Sequence, residues 1–132
     1  MRVRDGMSEE ILTIGPGHTL RHAAEQMARR RIGSAIVVDP EAPAPTILTE
    51  RDILLAVGQG LDVDGEHVAD HLTAEIVYAD PEWSLEQAAE TMTRGGFRHL
   101  IVVEGGEVVG MVSMRDIVRC WTRDGATSEV PG

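Results

Sequence analysis

Two short patterns in this sequence have the residue types and spacing for ligand chemistry, Thr49-Glu50-Arg51-Asp52 and Ser113-Met114-Arg115-Asp116. In each, an Asp follows a hydroxyl residue by three positions, a spacing that places both at the start of a helix. The two oxygens of such a carboxylate can accept both hydroxyls of a ribose-type diol in charge-assisted bonds. The hydroxyl residue, Thr49 or Ser113, would cap its helix and touch the sugar or a phosphate, where free N–H groups of the first turn favour anionic oxygens. The same spacing also describes an ordinary cap, in which the acid satisfies backbone donors and complements the helix dipole. On spacing alone the cap is the commoner use.

A phosphate needs local positive charge, and this chain carries a formal charge of −10. The candidates are Arg51 and Arg115 inside the two patterns, and Arg98-His99 ahead of an apolar run. His99 can donate to a phosphate even when neutral. For Arg98 and Arg51, a surface ion pair with a neighbouring acid is an equally good use. Ile11, Leu12, Ile76, Val77, Ala35 and Leu100 lie near the ends of apolar stretches and can sandwich a planar ring, because the walls of small-molecule pockets are mostly apolar.

Both patterns are positioned by a repeat. Shifted by 65 residues, Pro16, Leu20, Ala23-Ala24-Glu25, Met27, Arg29 and Ile36-Val37-Val38 fall on Pro81, Leu85, Ala88-Ala89-Glu90, Met92, Arg94 and Ile101-Val102-Val103. After one residue is dropped from a proline-bearing loop, Arg51-Asp52-Ile53 falls on Arg115-Asp116-Ile117. One such unit is too small to bury its own apolar faces, so two similar units packed about a pseudo-twofold axis are expected, with any ligand site between them. The copies are unequal where charge matters, since Gly33-Ser34 stands where the second copy has Arg98-His99.

Within each copy, Ile11 to Ile14 and Ile76 to Tyr78 read as short strands closed by Pro-containing turns. Leu20, Ala23, Ala24, Met27 and Leu85, Ala88, Ala89, Met92 mark one face of a helix, with Thr19 and Ser84 as N-caps and Ser84 with Gln87 as a capping box. Ala35 to Val38 and Leu100 to Val103 lack alternation, as strands covered on both faces do. The second copy reverses at Glu104-Gly105-Gly106-Glu107, a hairpin signal. The first makes the same reversal through the proline-stiffened loop Asp39 to Pro45, and a second helix follows each hairpin. Val3 to Met7 and Val68 to Leu72 are similar short lead-ins to the two copies.

Strand, helix, strand, strand, helix in tandem resembles a pair of CBS (cystathionine-β-synthase-type) domains. The residues that carry the likeness are Thr49-Glu50-Arg51-Asp52, Gly110-Met111-Val112-Ser113-Met114-Arg115-Asp116 and Arg98-His99-Leu100-Ile101-Val102-Val103. The second copy matches the family's G-x-x-[ST]-x-x-D pattern in full. The first has Thr46 in place of the Gly, which bears on close backbone approach at that point. The resemblance implies an α/β (α+β) fold of two β-α-β-β-α repeats: 1–58 as the first, 59–67 a linker, 68–121 the second and 122–132 a flexible tail.

It further implies a regulatory or sensor module without enzymatic activity, of the stand-alone type. Such a module binds an adenosine-containing ligand in the clefts between its copies and signals through the geometry of a homodimer. The implied ligand is AMP, ADP or ATP, or else S-adenosylmethionine or NAD(H), bound as a regulator rather than as an obligatory cofactor; because Arg98-His99 gives the second copy most of the charge, the Asp116 site is expected to be the tighter. The implied partners are a second copy and a regulated protein not identified by the sequence. The resemblance reverses the preference for capping at Asp52 and Asp116. A ligand-free interaction module remains the alternative, and a small metal-dependent enzyme a lesser one.

Composition bounds these readings. At 132 residues, 42% hydrophobic and 26% charged, the chain is ordinary globular material. The net negative charge argues against a general nucleic-acid binder. No charged-then-apolar leader and no apolar run approaching ~18 residues is seen, so a cytoplasmic location without membrane association is expected. All twelve basic residues are Arg, and the lone Cys120 reads as an inert thiol in a reducing compartment. His67 and His71 have zinc-ligand spacing if helical, but no third ligand is evident. Asp62 to Gly65 reads as a linker turn rather than a calcium loop. His18 and His22 read as surface residues, and no nucleophile elbow, Walker loop or dinucleotide fingerprint occurs.

Overall fold

The computed structural model describes residues 1–74 and 76–123. Of the expected tail at 122–132, residues 124–132 lie outside the described residues. The elements are α1 (Val3–Gly6), β1 (Thr13–Ile14), α2 (Leu20–Arg30), β2 (Ser34–Val37), β3 (Thr46–Thr49), α3 (Glu50–Gly58), a 3-10 turn (Val68–Asp70), β4 (Tyr78–Ala79), α4 (Leu85–Gly95), β5 (His99–Glu104), β6 (Glu107–Ser113) and α5 (Met114–Trp121). This is a mixed α+β fold with two three-stranded sheets, β1-β2-β3 and β4-β5-β6, each one parallel pair followed by one antiparallel pair. The first strands are shorter than the sequence suggests. Ile11-Leu12 and Ile76-Val77 precede β1 and β4 rather than belonging to them.

The chain divides into two compact units, and the division does not follow the repeat boundary. Ile11–Ile76 form one unit, and Met1–Glu10 join Val77 onward in the other. Each copy therefore takes its lead-in from the opposite end of the repeat, by equivalent backbone bonds. Val3 N–H donates to Trp83 O at 2.7 Å and Arg4 N–H to Pro81 O at 2.9 Å, while Val68 N–H donates to His18 O at 2.8 Å and Ala69 N–H to Pro16 O at 3.0 Å. The lead-ins also supply acceptors to helix N-termini that would otherwise lack partners. Met1 O accepts from Leu85 N–H, and Glu66 O accepts from Leu20 N–H.

The apolar stripes predicted from the helical spacing are the cores. Leu12, Ile14, Leu20, Ala23, Met27, Ala35, Val37, Leu48, Ala56 and Val68 pack together in one unit. Val3, Ala79, Leu85, Ala88, Met92, Leu100, Val102, Val112, Ile117 and Cys120 do so in the other. Val3 and Val68, both fully buried, are the apolar plugs of the exchanged lead-ins. On the second face of the sheets Ile36, Ile47, Ile101 and Met111 are buried as well, as the lack of alternation requires.

Caps and turns follow the residue types. Thr19 and Ser84 accept from the N–H of His22 and Gln87. The reciprocal capping box expected at Ser84 is found instead at Thr49/Asp52 and Ser113/Asp116. Gly105 and Gly106 take φ of 61° and 83° in the β5–β6 turn, as a tight hairpin demands. Arg31 occupies the left-handed C-cap of α2 (φ 57°), where α4 uses Gly96.

Candidate functional site

In each sheet the first two strands begin, and the third ends, at the same edge. Ser34 pairs with Thr49 and Ala35 with Leu48, and Leu12 O accepts from Ile36 N–H at 2.8 Å. In the other unit His99 pairs with Ser113 and Leu100 with Val112, and Val77 O accepts from Ile101 N–H at 3.3 Å. The helix that follows is tied to this corner by its first N–H. Glu50 donates to Gly33 O and Met114 to Arg98 O, both at 2.9 Å. The fold thus gathers Ile11, Leu12, Ala35, Thr49, Arg51 and Asp52 at one corner of the first unit. It gathers Val77, Arg98, His99, Leu100, Ser113, Arg115 and Asp116 at the equivalent corner of the second, and Ile76 closes the segment that leads into it.

The two carboxylates are held alike on one oxygen. Asp52 Oδ2 accepts from Thr49 N–H at 2.8 Å, and Asp116 Oδ2 accepts from Ser113 N–H at 2.8 Å. In return the Thr49 and Ser113 hydroxyls accept from the N–H of Asp52 and Asp116, at 3.4 and 3.1 Å. Both pairs are therefore capping boxes, which fixes the rotamer of each acid and presents the carboxylate at the helix N-terminus. They differ on what else they touch. Asp52 Oδ2 also takes the hydroxyls of Thr49 (3.0 Å) and Thr73 (2.5 Å), whereas Asp116 Oδ1 takes Arg119 Nη2 at 2.5 Å.

The ring-wall candidates divide by burial. Leu12, Ala35 and Leu100 are spent in the cores of their own units, with exposures of 6%, 0% and 0%. Ile11, Ile76 and Val77 are half-buried and retain surface for a ring. Arg51, Arg98 and Arg115 are exposed, and none forms an ion pair among the described residues. The Glu50 carboxylate lies over Gly33, 3.3 Å from where a Cβ would stand, so the first corner carries an acid where the second carries Arg98 and Met114.

The Gly110/Thr46 difference has a structural counterpart. A Cβ on Gly110 would stand 2.6 Å from Ser8 O, because Ser8 and Met111 exchange both backbone bonds (2.7 and 3.0 Å). At the equivalent place beside Thr46 a single backbone bond is made among the described residues, with Thr73 N–H donating to Ile47 O at 3.0 Å.

Thr73 and Arg119 were not evident from sequence. The Ser8/Thr73 correspondence at the 65-residue shift was a readable signal for the first. Arg119 aligns with Leu55, so a search for shared residues passes over it. His67 and His71 do not share a helical face. Their segment is a 3-10 turn, and His71 Nε2 is hydrogen-bonded to Glu66 at 2.7 Å. Among the described residues no group of three or more His, Cys, Asp or Glu could hold a metal ion. The Asp62–Gly65 segment is a turn closed by Gly65 N–H and Glu66 N–H on Asp62 O.

The CBS domain family model matches residues 3–59 and 68–122. The chain belongs to the CBS-domain family, as a tandem pair. CBS-domain-containing protein YhcV of Bacillus subtilis is 32% identical over 116 residues, 87% of this chain and 81% of its own. An uncharacterized Methanocaldococcus jannaschii protein, MJ1225, is 32% identical over 124 residues, and the chain spans 44% of its length. The solved CBS domain protein PAE2072 from Pyrobaculum aerophilum, complexed with AMP, superposes on this CBS pair with a TM-score of 0.81. It shares 30% identity, over 96% of this chain and 99% of that one. No helix among the described residues is long and apolar enough to cross a membrane.

Proposed function

We propose that this CBS pair is a non-enzymatic regulatory module that binds an adenosine-containing ligand, AMP, ADP or ATP, at the corner where the second helix of each repeat begins. The observation that carries the reading is the corner built twice, with an anchored carboxylate, a cap hydroxyl, arginines that form no ion pair among the described residues and half-buried aliphatic residues around a helix N-terminus. In it, Asp52 and Asp116 accept ribose hydroxyls, and Ile11, Ile76 and Val77 flank the base. Arg51, Arg98, Arg115 and His99 serve the phosphates. The likeness to a relative complexed with AMP over nearly the whole chain supports this. S-adenosylmethionine and NAD(H) present the same ribose to the same acids.

Signalling follows if the ligand prefers one geometry of a homodimer over another, since a ligand shifts an equilibrium only by its differential affinity. Leu54, Leu55 and Val57 on α3, and Val118 and Trp121 on α5, are exposed apolar side chains on the single chain and support self-association through helical faces. A cytoplasmic setting fits a module that reads nucleotides.

The capping role of both Oδ2 atoms favours a second reading, a ligand-free interaction module. Thermal-shift measurements with AMP, ADP, ATP, S-adenosylmethionine, NADH, GMP and zinc separate the two. At a hundredfold excess over Kd a one-site ligand adds about 2.7 kcal/mol, or roughly 8 °C for a domain of this size. A shift with adenine nucleotides and not with GMP is expected. Silence throughout leaves the interaction module.

A further inference from the structure

We propose that Arg119 is a latch on one of the two candidate sites, engaging Asp116 so that, against the order expected from the charge of Arg98-His99, the Asp52 site grips a ribose first. This rests on the nucleotide reading above. The two acids are equivalent in sequence and identically anchored through Oδ2, so any difference in their grip on a sugar comes from their remaining contacts. The donors to Asp52 are a backbone N–H and two neutral hydroxyls, and among the described residues nothing donates to its Oδ1. Among the described residues no cation pairs with this carboxylate, and its Oδ1 is left without a donor.

Asp116 is the more buried acid, with a side chain 13% exposed, and its Oδ1 is held by the Arg119 guanidinium. Its charge is already matched, which weakens it as an acceptor for a diol. Leu55 occupies the position equivalent to Arg119, and no such latch can form there. Arg119 is itself half exposed, so the pair is one that water, salt or a ligand can open.

Adenosine tests this best, because it carries the ribose but no phosphate for an arginine to attract. By isothermal titration, D116A, which keeps the Asp52 site, binds adenosine about fivefold tighter than D52A, which keeps the Asp116 site. R119L closes that gap in the D52A protein and leaves the D116A protein unchanged, and R119Q does the same without adding apolar surface. Raising salt tightens adenosine binding only to D52A. If a single-site variant does not fold, the wild type still shows two unequal steps where R119L shows two equal ones.

Adenosine affinity in D52A left unchanged or lowered by both Arg119 substitutions would overturn the latch. So would weaker AMP binding with unaltered adenosine binding, which makes Arg119 a phosphate contact. Absence of adenosine and AMP binding even in the wild type removes the nucleotide reading itself, an outcome distinct from a failed latch.

Discussion

Val3→Ala, ten residues from the nearest strand in sequence, is expected to loosen the unit built from the far half of the chain. Val3 is fully buried among Ala79, Leu85, Met92, Leu100 and Ile117. Its truncation removes two methyl groups, about 1.6 kcal/mol of transfer free energy at ~0.8 per carbon. Incomplete collapse of the site adds up to about 1 kcal/mol for the cavity. A loss of about 2–3 kcal/mol is therefore expected. Val68→Ala removes the equivalent plug from the other unit and should cost the same, with Leu20, Ala23 and Met27 losing their contacts. Hydrogen exchange read by peptide assigns each loss to a unit. V3A should speed exchange in α4, β5 and β6 and spare α2 and β2, and V68A should do the reverse. If V3A instead loosens α2 and β2, the exchange of lead-ins between the copies is wrong, and so is the placement of Ser8 and Thr73 beside the two corners.

Three further outcomes follow from local geometry. Gly110→Ala sets a Cβ 2.6 Å from Ser8 O, against backbone rather than a flexible side chain, so it should cost more than 2 kcal/mol in a denaturant titration and detach the Ser8–Met111 bridge. Arg31→Gly relieves a left-handed arginine at the end of α2 and should raise stability by about 1 kcal/mol, or roughly 3–4 °C in Tm. Glu82, hydrogen-bonded by Arg4 and Arg2, is held below the ordinary glutamate range, the Arg4 bond being the larger cause. Because its folded-state pKa is depressed, its contribution is present above the ordinary glutamate value and lost as pH falls through the lowered one. An NMR titration should show this low midpoint, and Arg4→Ala should bring it back up.

Much of the fold was legible because the chain states it twice. The i, i+3, i+4, i+7 stripes of α2 and α4, the unbroken apolar runs of β2 and β5 and the Gly105-Gly106 turn each have a local cause that the sequence prints. The exchange of lead-ins was not legible. Val3 and Val68 look alike, and similarity cannot say which copy each one plugs; only long-range backbone bonds decide that. The corners were legible in outline, since Thr-x-x-Asp and Ser-x-x-Asp fix their own geometry at a helix start. Their inequality was only half readable. Gly33 against Arg98 shows in the alignment, but the Thr73 hydroxyl on Asp52 and the Arg119 guanidinium on Asp116 depend on tertiary placement. The wall residues illustrate the same limit, because Leu12, Ala35 and Leu100 carry the right chemistry and are consumed by the core.

Isothermal titration of AMP into the wild-type chain and into the folded D52A/D116A double variant tests the account most directly. Saturable AMP binding to the wild type, abolished in the double variant, is the expected result. Undiminished binding in the double variant, or none in the wild type, would contradict the assignment of these two carboxylates as the grip on a ribose.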